Sequence, residues 1–319
     1  MKKSFVVFAF LSLCIAAAPS LVLGQEGSDI IIKGGSEIAN QHKILHGLRN
    51  SNDEDKNKDR HPGEAGNAKA AGNNGILYHG GPVMLGTTHV YYIWYGNWAG
   101  NSATTILTSL AQSIGGSPYF NINTTYYNGS NTHVSNSVSY FSSYNDNYSR
   151  GTALSDSAIQ GIVSSAITGG HLPLDTSGVY FVLTSADVTA TSGFCTQYCG
   201  WHTHGTISAM DIKYSFVGNP DRCPSACEAQ TTGPNDNAGA DGMASIIAHE
   251  LEETVTDPDL NAWYDRRGAE NADKCAWTFG TTFTTSNGAL ANMTMGGRNY
   301  LIQRNWVNAS GGFCAKSYP

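Results

Sequence analysis

His89-Val90-Tyr91-Tyr92-Ile93-Trp94-Tyr95 is rich in aromatic and β-branched residues, ends at Gly96 and predicts a buried strand. After Ser102, a residue able to cap a helix, Ile106, Leu107, Leu110 and Ile114 recur at helical spacing and stop before Gly115-Gly116. Asn123 to Tyr127 and His133 to Tyr140 predict two further strands, with Asn128-Gly129 available for the turn. A second helix is expected from Ser155-Asp156 to Gly169-Gly170, with Ile159, Ile162, Val163 and Ile167 inward, and buried strands at Gly178 to Thr184 and Ala209 to Val217. The last helix runs from about Gly239 to Thr256 with Met243, Ile247 and Leu251 in one stripe, and Pro258 keeps Asp257 out of it. This order predicts an α/β or α+β class: one domain, a mixed sheet covered by helices. Beyond the last helix the chain turns Gly- and Thr-rich with scattered aromatics, an irregular C-terminal part for disulfides to staple.

The N-terminus changes the picture. Met1-Lys2-Lys3 and the apolar stretch from Phe5 to Ala18 read as a secretory signal over 1–24, cut before Gln25. No later apolar run reaches the roughly 18 residues that a membrane span needs, so no membrane anchor is expected. Charges crowd between Lys43 and Glu64, so 25–74 reads as a disordered linker or pro-segment and 75–319 as the globular domain. Those last residues, about 245 of them, suffice for a proper core. Of seven cysteines, Cys14 falls in the signal. Cys195, Cys199, Cys223, Cys227, Cys275 and Cys314 remain, an even set that suggests three bridges in an oxidising compartment, connectivity open. The two C-x-x-x-C pairs make a four-cysteine zinc site the competing reading. Sequons stand at Asn123, Asn128, Asn147, Asn292 and Asn308, so glycosylation is expected at one or more of them. A net charge of -7 and no basic cluster in the folded part exclude nucleic acid as an expected partner.

The chemistry concentrates in His249-Glu250-Leu251-Glu252-Glu253. Residues four apart share a helix face, so His249 and Glu253 can hold a metal together, with Glu250 beside them. In H-E-x-x-H enzymes the histidines bind zinc and the glutamate is the general base; here Glu253 replaces the second histidine. The expectation is a zincin-like active helix with His249 and Glu253 as ligands, Glu250 as base, and zinc or another divalent cation between them. A third ligand has to come from elsewhere: Asp257, Asp259, Glu270, Asp273, His202 or His204. Glu270 ranks first because Cys275 lies close enough to fix its backbone. The alternative is that Glu250, Glu252 and Glu253 are a solvated acidic face and His249 an ordinary histidine. His202 and His204, two apart on an extended segment, could converge on one ion or sit exposed. The absence of a G-x-S-x-G elbow and of a phosphate-cradling loop excludes serine hydrolase and nucleotide-dependent readings.

Several separated motifs resemble the plant EXORDIUM, or phosphate-induced, family. They are Tyr78-His79-Gly80-Gly81-Pro82-Val83-Met84, Val90 to Trp98, Phe194-Cys195 with Cys199-Gly200-Trp201-His202, and Val217-Gly218-Asn219 before Cys223 and Cys227. Asp241-Gly242-Met243-Ala244-Ser245 ahead of His249-Glu250-Leu251, Asn261-Ala262-Trp263-Tyr264, and Asp273 to Cys275 also agree. The resemblance implies an extracellular, cell-wall-associated protein connected with growth and cell expansion, with wall components as partners and no settled reaction. Thr256-Asp257-Pro258 departs from the Ser-Asn-Pro type run of plant members and adds an acid beside the expected metal. Two other readings stand beside this one: an active secreted metallopeptidase, and a non-catalytic wall or carbohydrate-binding protein with Trp263, Tyr264 and Trp306 stacking on sugars.

Overall fold

The structure, a computed structural model, describes residues 75–319. The signal over 1–24 and the charged segment over 25–74 lie outside the described residues. Five strands form the central sheet: β1 (Thr88–Tyr95), β2 (Val138–Asp146), β3 (Gly178–Thr184), β4 (Gly200–Ile207) and β5 (Met210–Val217). They lie in the order β2-β1-β3-β5-β4. β1 pairs parallel with β2 and β3, and β3 with β5, whereas β4 runs antiparallel to β5 at the edge. Three helices accompany the sheet: α1 (Ala103–Ser113), α2 (Asp156–Thr168) and α3 (Ala238–Thr256). The crossover through α1 runs from β1 to β2 and the one through α2 from β2 back past β1 to β3, so the two run in opposite directions and right-handed connections place these helices on opposite faces. That explains why β1 and β3 are buried almost end to end and read as continuous apolar runs.

Two expectations need correction. Phe120–Thr125 forms a 3₁₀ turn rather than a strand, and of the expected hairpin only a single bridge, Tyr127 with His133, survives. The strand after it begins at Val138, because the Asn136 side chain ties the preceding loop to Gly116 and Ser117. Tertiary demand overrides β-propensity here: the turn buries Phe120 and Ile122 and brings the Asn123 amide to Glu252 Oε1 at 3.4 Å. The other correction adds a strand. The segment with His202 and His204 is β4, half of a hairpin whose two-residue turn, Ser208-Ala209, has φ values of 50° and 63°. Type I′ turns need φ > 0 at both central positions and usually advertise themselves with Asn-Gly. Ser-Ala carries no such signal.

Three disulfides supply the connectivity that was open: Cys195–Cys223, Cys199–Cys227 and Cys275–Cys314. With all six sulfurs in bridges, the four-cysteine zinc site is ruled out. The first two fasten the approach to β4 to the helical turn Pro224–Cys227 that follows β5, so the edge hairpin is held at its base. The third staples the C-terminal part, which is built of short antiparallel pairs such as Asn305–Val307 with Phe313–Ala315. Bridges of this kind typically contribute about 2–4 kcal/mol each.

α3 decides the interior. The Asn237 side chain caps it by accepting from Ala240 N, and it stops at Thr256 before Pro258, as the pattern predicts. It packs against α1 on one side and against β4 and β5 on the other. Every residue from Met243 to Thr256 is buried, so α3 is enclosed all round rather than amphipathic.

The strained hairpin generates a prediction. Replacing Ser208-Ala209 by Asn-Gly relieves two positive-φ positions at exposed sites and is expected to stabilise the protein by about 1–2 kcal/mol, read as a higher melting temperature. An unchanged or lower one contradicts the turn assignment.

Candidate metal centre

Helix periodicity puts His249 and Glu253 on one face of α3, and there His249 Nε2 meets Glu253 Oε1 at 3.1 Å. The edge strand supplies a second imidazole. His202 Nε2 lies 3.0 Å from Glu270 Oε2 and 3.8 Å from Glu253 Oε2, so the two oxygens of one carboxylate face two histidines. The third element is the stretch that leads to Cys275. Asp273 donates its backbone N–H to Glu253 Oε1 at 3.1 Å and sets Oδ1 3.6 Å from His249 Nε2, while its Oδ2 accepts from Glu270 N.

Ligand-capable atoms here form two groups that share Glu253: His249, Glu250 and Glu253; and His202, Glu253 and Glu270. Within each, the donor atoms lie within 4.8 Å of one another. Tetrahedral zinc with bonds of about 2.0–2.2 Å has ligand–ligand edges of about 3.3–3.6 Å, close to the contacts seen. Glu270 thus reaches the cluster, but against His202 rather than His249; Asp273 stands beside His249. Asp257 instead caps the end of α3, with Oδ1 accepting from Asn261 N and Ala262 N.

The site depends on close packing. Gly200 opens β4 where α3 crosses it, and a Cβ there would stand 2.5 Å from Ile246 Cγ2 and 3.0 Å from Glu250 Oε1. Asn123 is a second residue whose place no sequence signal revealed. Its amide donates to Glu252 Oε1 and its Oδ1 accepts from Asn271 and Asn305, which holds Glu252 apart from the histidine cluster. A sequon at this position has no room for a glycan in the fold. The same is true of Asn292, whose amide donates to Phe279 O and Ile302 O in the interior. Asn147 is exposed and Asn128 and Asn308 half-buried, so these three sequons are the ones the folded surface offers.

The acids are not a solvated face. Glu250, Glu252 and Glu253 are 2%, 0% and 4% exposed, and His249 is 1% exposed. Burial pushes the Glu250 and Glu270 carboxyls well above their ordinary range, and the nearby charges of Glu253 and Asp273 add to the effect. Burial pushes Glu252 up as well and raises Asp257 to about 7. For His249, burial alone would lower the imidazole; the Glu253 charge and the Asp273 contact outweigh it and leave it raised. All these shifts favour taking up protons, the response of an interior with surplus negative charge.

His204, also on β4, belongs to an outer half-buried group with Asp211 and Asp259. Lys213 fills that group from within, paired to Asp211 and, at 3.1 Å, to Asp259. The two histidines of the strand therefore do not converge on one place.

Over residues 76–308 the chain matches the family described as "Phosphate-induced protein 1 conserved region". EXORDIUM-like 3 of Arabidopsis thaliana is 32% identical, with 72% of this chain and 80% of that protein covered. EXORDIUM-like 5 of the same plant is also 32% identical, over 72% of this chain and 75% of its own length. PHOSPHATE-INDUCED 1 of Nicotiana tabacum is 27% identical over 59% of this chain and 67% of that protein. No solved structure matches.

The raised carboxyls and imidazole fix the sign of a pH effect. A group with a raised folded pKa binds its proton more tightly in the folded state, so its contribution is present below the unfolded value and lost as pH rises through the folded one. With divalent cations chelated, the melting temperature is expected to fall as pH is raised from the ordinary glutamate value of 4.5 through neutrality, and Glu270→Gln to flatten the fall. A variant with the same slope as the parent contradicts this.

Proposed function

Because this chain belongs to the EXORDIUM, or phosphate-induced protein 1, family, we propose that it is an exported cell-wall or extracellular protein linked to growth and cell expansion, whose interior is organised by a divalent cation held at Glu253. The observation that carries the cation is the pair of imidazoles, from α3 and β4, that face one buried carboxylate with Glu270 and Asp273 closing round it. A dication is the natural counter-charge for that donor set, and a mixed nitrogen and oxygen set suits zinc or manganese. The ligands come from α3, from the edge strand and from the stretch that leads to Cys275, so the ion clamps three separate segments, the edge strand being remote in sequence from the other two. Export is supported by the N-terminal signal pattern and by the three disulfides.

The metallopeptidase reading rests on Glu250, which follows His249 as the base does in H-E-x-x-H helices. Bound zinc supplies a Lewis acid and an acidified water. Glu250, buried beside His249 and Glu253, would be the general base of such a reaction. The sugar-binding reading loses its leading aromatic: Trp263 is 3% exposed and donates its indole N–H to Tyr127 O at 2.8 Å. Tyr264 stacks on His79 at 3.7 Å, and Lys274 lies over Trp306.

Chelation is expected to lower the melting temperature of the purified protein by about 5–10 °C for a cation supplied at a hundredfold its dissociation constant. No change on chelation, together with no stoichiometric metal, contradicts the proposal. Glu250→Gln separates the readings: the clamp predicts that it keeps its metal and its biological activity, the peptidase that it keeps its metal and loses activity by at least about a hundredfold.

A further inference from the structure

We infer that the centre holds two divalent cations bridged by the carboxylate of Glu253, one on the α3 side with His249 and one on the β4 side with His202 and Glu270; this deepens the proposed cation centre and rests on it. The geometry divides the donors. Glu253 turns Oε1 to His249 Nε2 at 3.1 Å and Oε2 to His202 Nε2 at 3.8 Å, and the two imidazoles fall into separate ligand groups that have only this residue in common. A carboxylate with one oxygen toward each nitrogen donor is in a bridging posture, and paired metal sites sit about 3.5–4 Å apart.

Charge points the same way. Glu250, Glu253, Glu270 and Asp273 are four buried carboxylates gathered about two imidazoles. Two dications with neutral histidines balance four carboxylates, whereas one leaves two negative charges in an interior where they are costly. The neighbouring acids have amide or backbone donors on one oxygen each, outside the two histidine groups: Glu252 Oε1 takes the Asn123 amide and Asp257 Oδ1 two backbone N–H groups, while Glu252 Oε2 and Asp257 Oδ2 are, like Glu270 Oε1, buried without a partner. One further observation is independent of the count. Glu270 is 5% exposed, its Oε2 is on His202, and its Oε1 is buried with no hydrogen-bond partner. A second coordination bond would satisfy that oxygen.

The test is metal stoichiometry on the full secreted chain, loaded with manganese chloride and freed of excess by dialysis. Two manganese ions per chain are expected, with an electron paramagnetic resonance spectrum of a coupled pair in place of the hyperfine pattern of an isolated ion. His202→Ala is expected to retain one ion and to restore the isolated pattern. One ion per chain in the parent protein overturns the pair and leaves the single-cation proposal standing. None overturns both. Two ions whose spectra are those of isolated manganese overturn the Glu253 bridge. The parent protein alone decides these outcomes, so a variant that fails to fold leaves the test intact.

Discussion

The structure turns on one carboxylate. Glu253 sits in the last turn of an enclosed helix, 4% exposed, with an imidazole at each oxygen and a backbone N–H donated from a third segment. Uncompensated, an ionised group in such a place costs several kcal/mol. What surrounds it serves that requirement. The edge strand is antiparallel, which turns its Gly200 end toward α3; Gly200 allows the close approach; and two disulfides hold the hairpin base where His202 must stand. The third bridge anchors Cys275 just after Asp273.

The same requirement explains why α3 is an unusual helix. Its approach is small and apolar, Met243-Ala244-Ser245-Ile246-Ile247-Ala248, which lets α1 and the sheet pack tightly on it. Its polar half is equally buried, because His202 of the edge strand, Asn123 of the 3₁₀ turn and the stretch from Asn271 to Asp273 close round it. A protein interior with this many acids depends on cations, protons or amides for compensation. Amides answer for Glu252, backbone N–H groups for Asp257, and, on the proposed reading, metal ions for the rest.

Much of this was legible in the chain. The strands at 89–95 and 178–184 announced themselves because both faces are buried, the helix after Ser155 carried period, cap and stop, and the one before Pro258 its stop. The helix after Ser102 was legible by its period alone, since the Ser102 side chain makes no cap bond and Asn101 Oδ1 accepts from Ala103 N instead. His249 and Glu253 could be paired from spacing alone. What the chain concealed depends on long-range contact. His202 meets Glu270 across 68 positions, and Asn123 meets Glu252 across 129, separations that no local pattern encodes. The β4 hairpin was hidden for a local reason, a Ser-Ala turn in a conformation that ordinarily calls for Asn-Gly. The Asn123 sequon misled because a motif of three residues says nothing about burial.

The central claim is that nitrogen and oxygen donors from α3, β4 and the C-terminal part hold a metal. X-ray absorption at the zinc edge, on protein purified from a secreting host and loaded with zinc, tests it most directly. The account predicts a first shell of nitrogen and oxygen at about 2.0–2.2 Å with the outer scattering of imidazole, and no sulfur. A sulfur shell at about 2.3 Å, or no zinc retained, contradicts it.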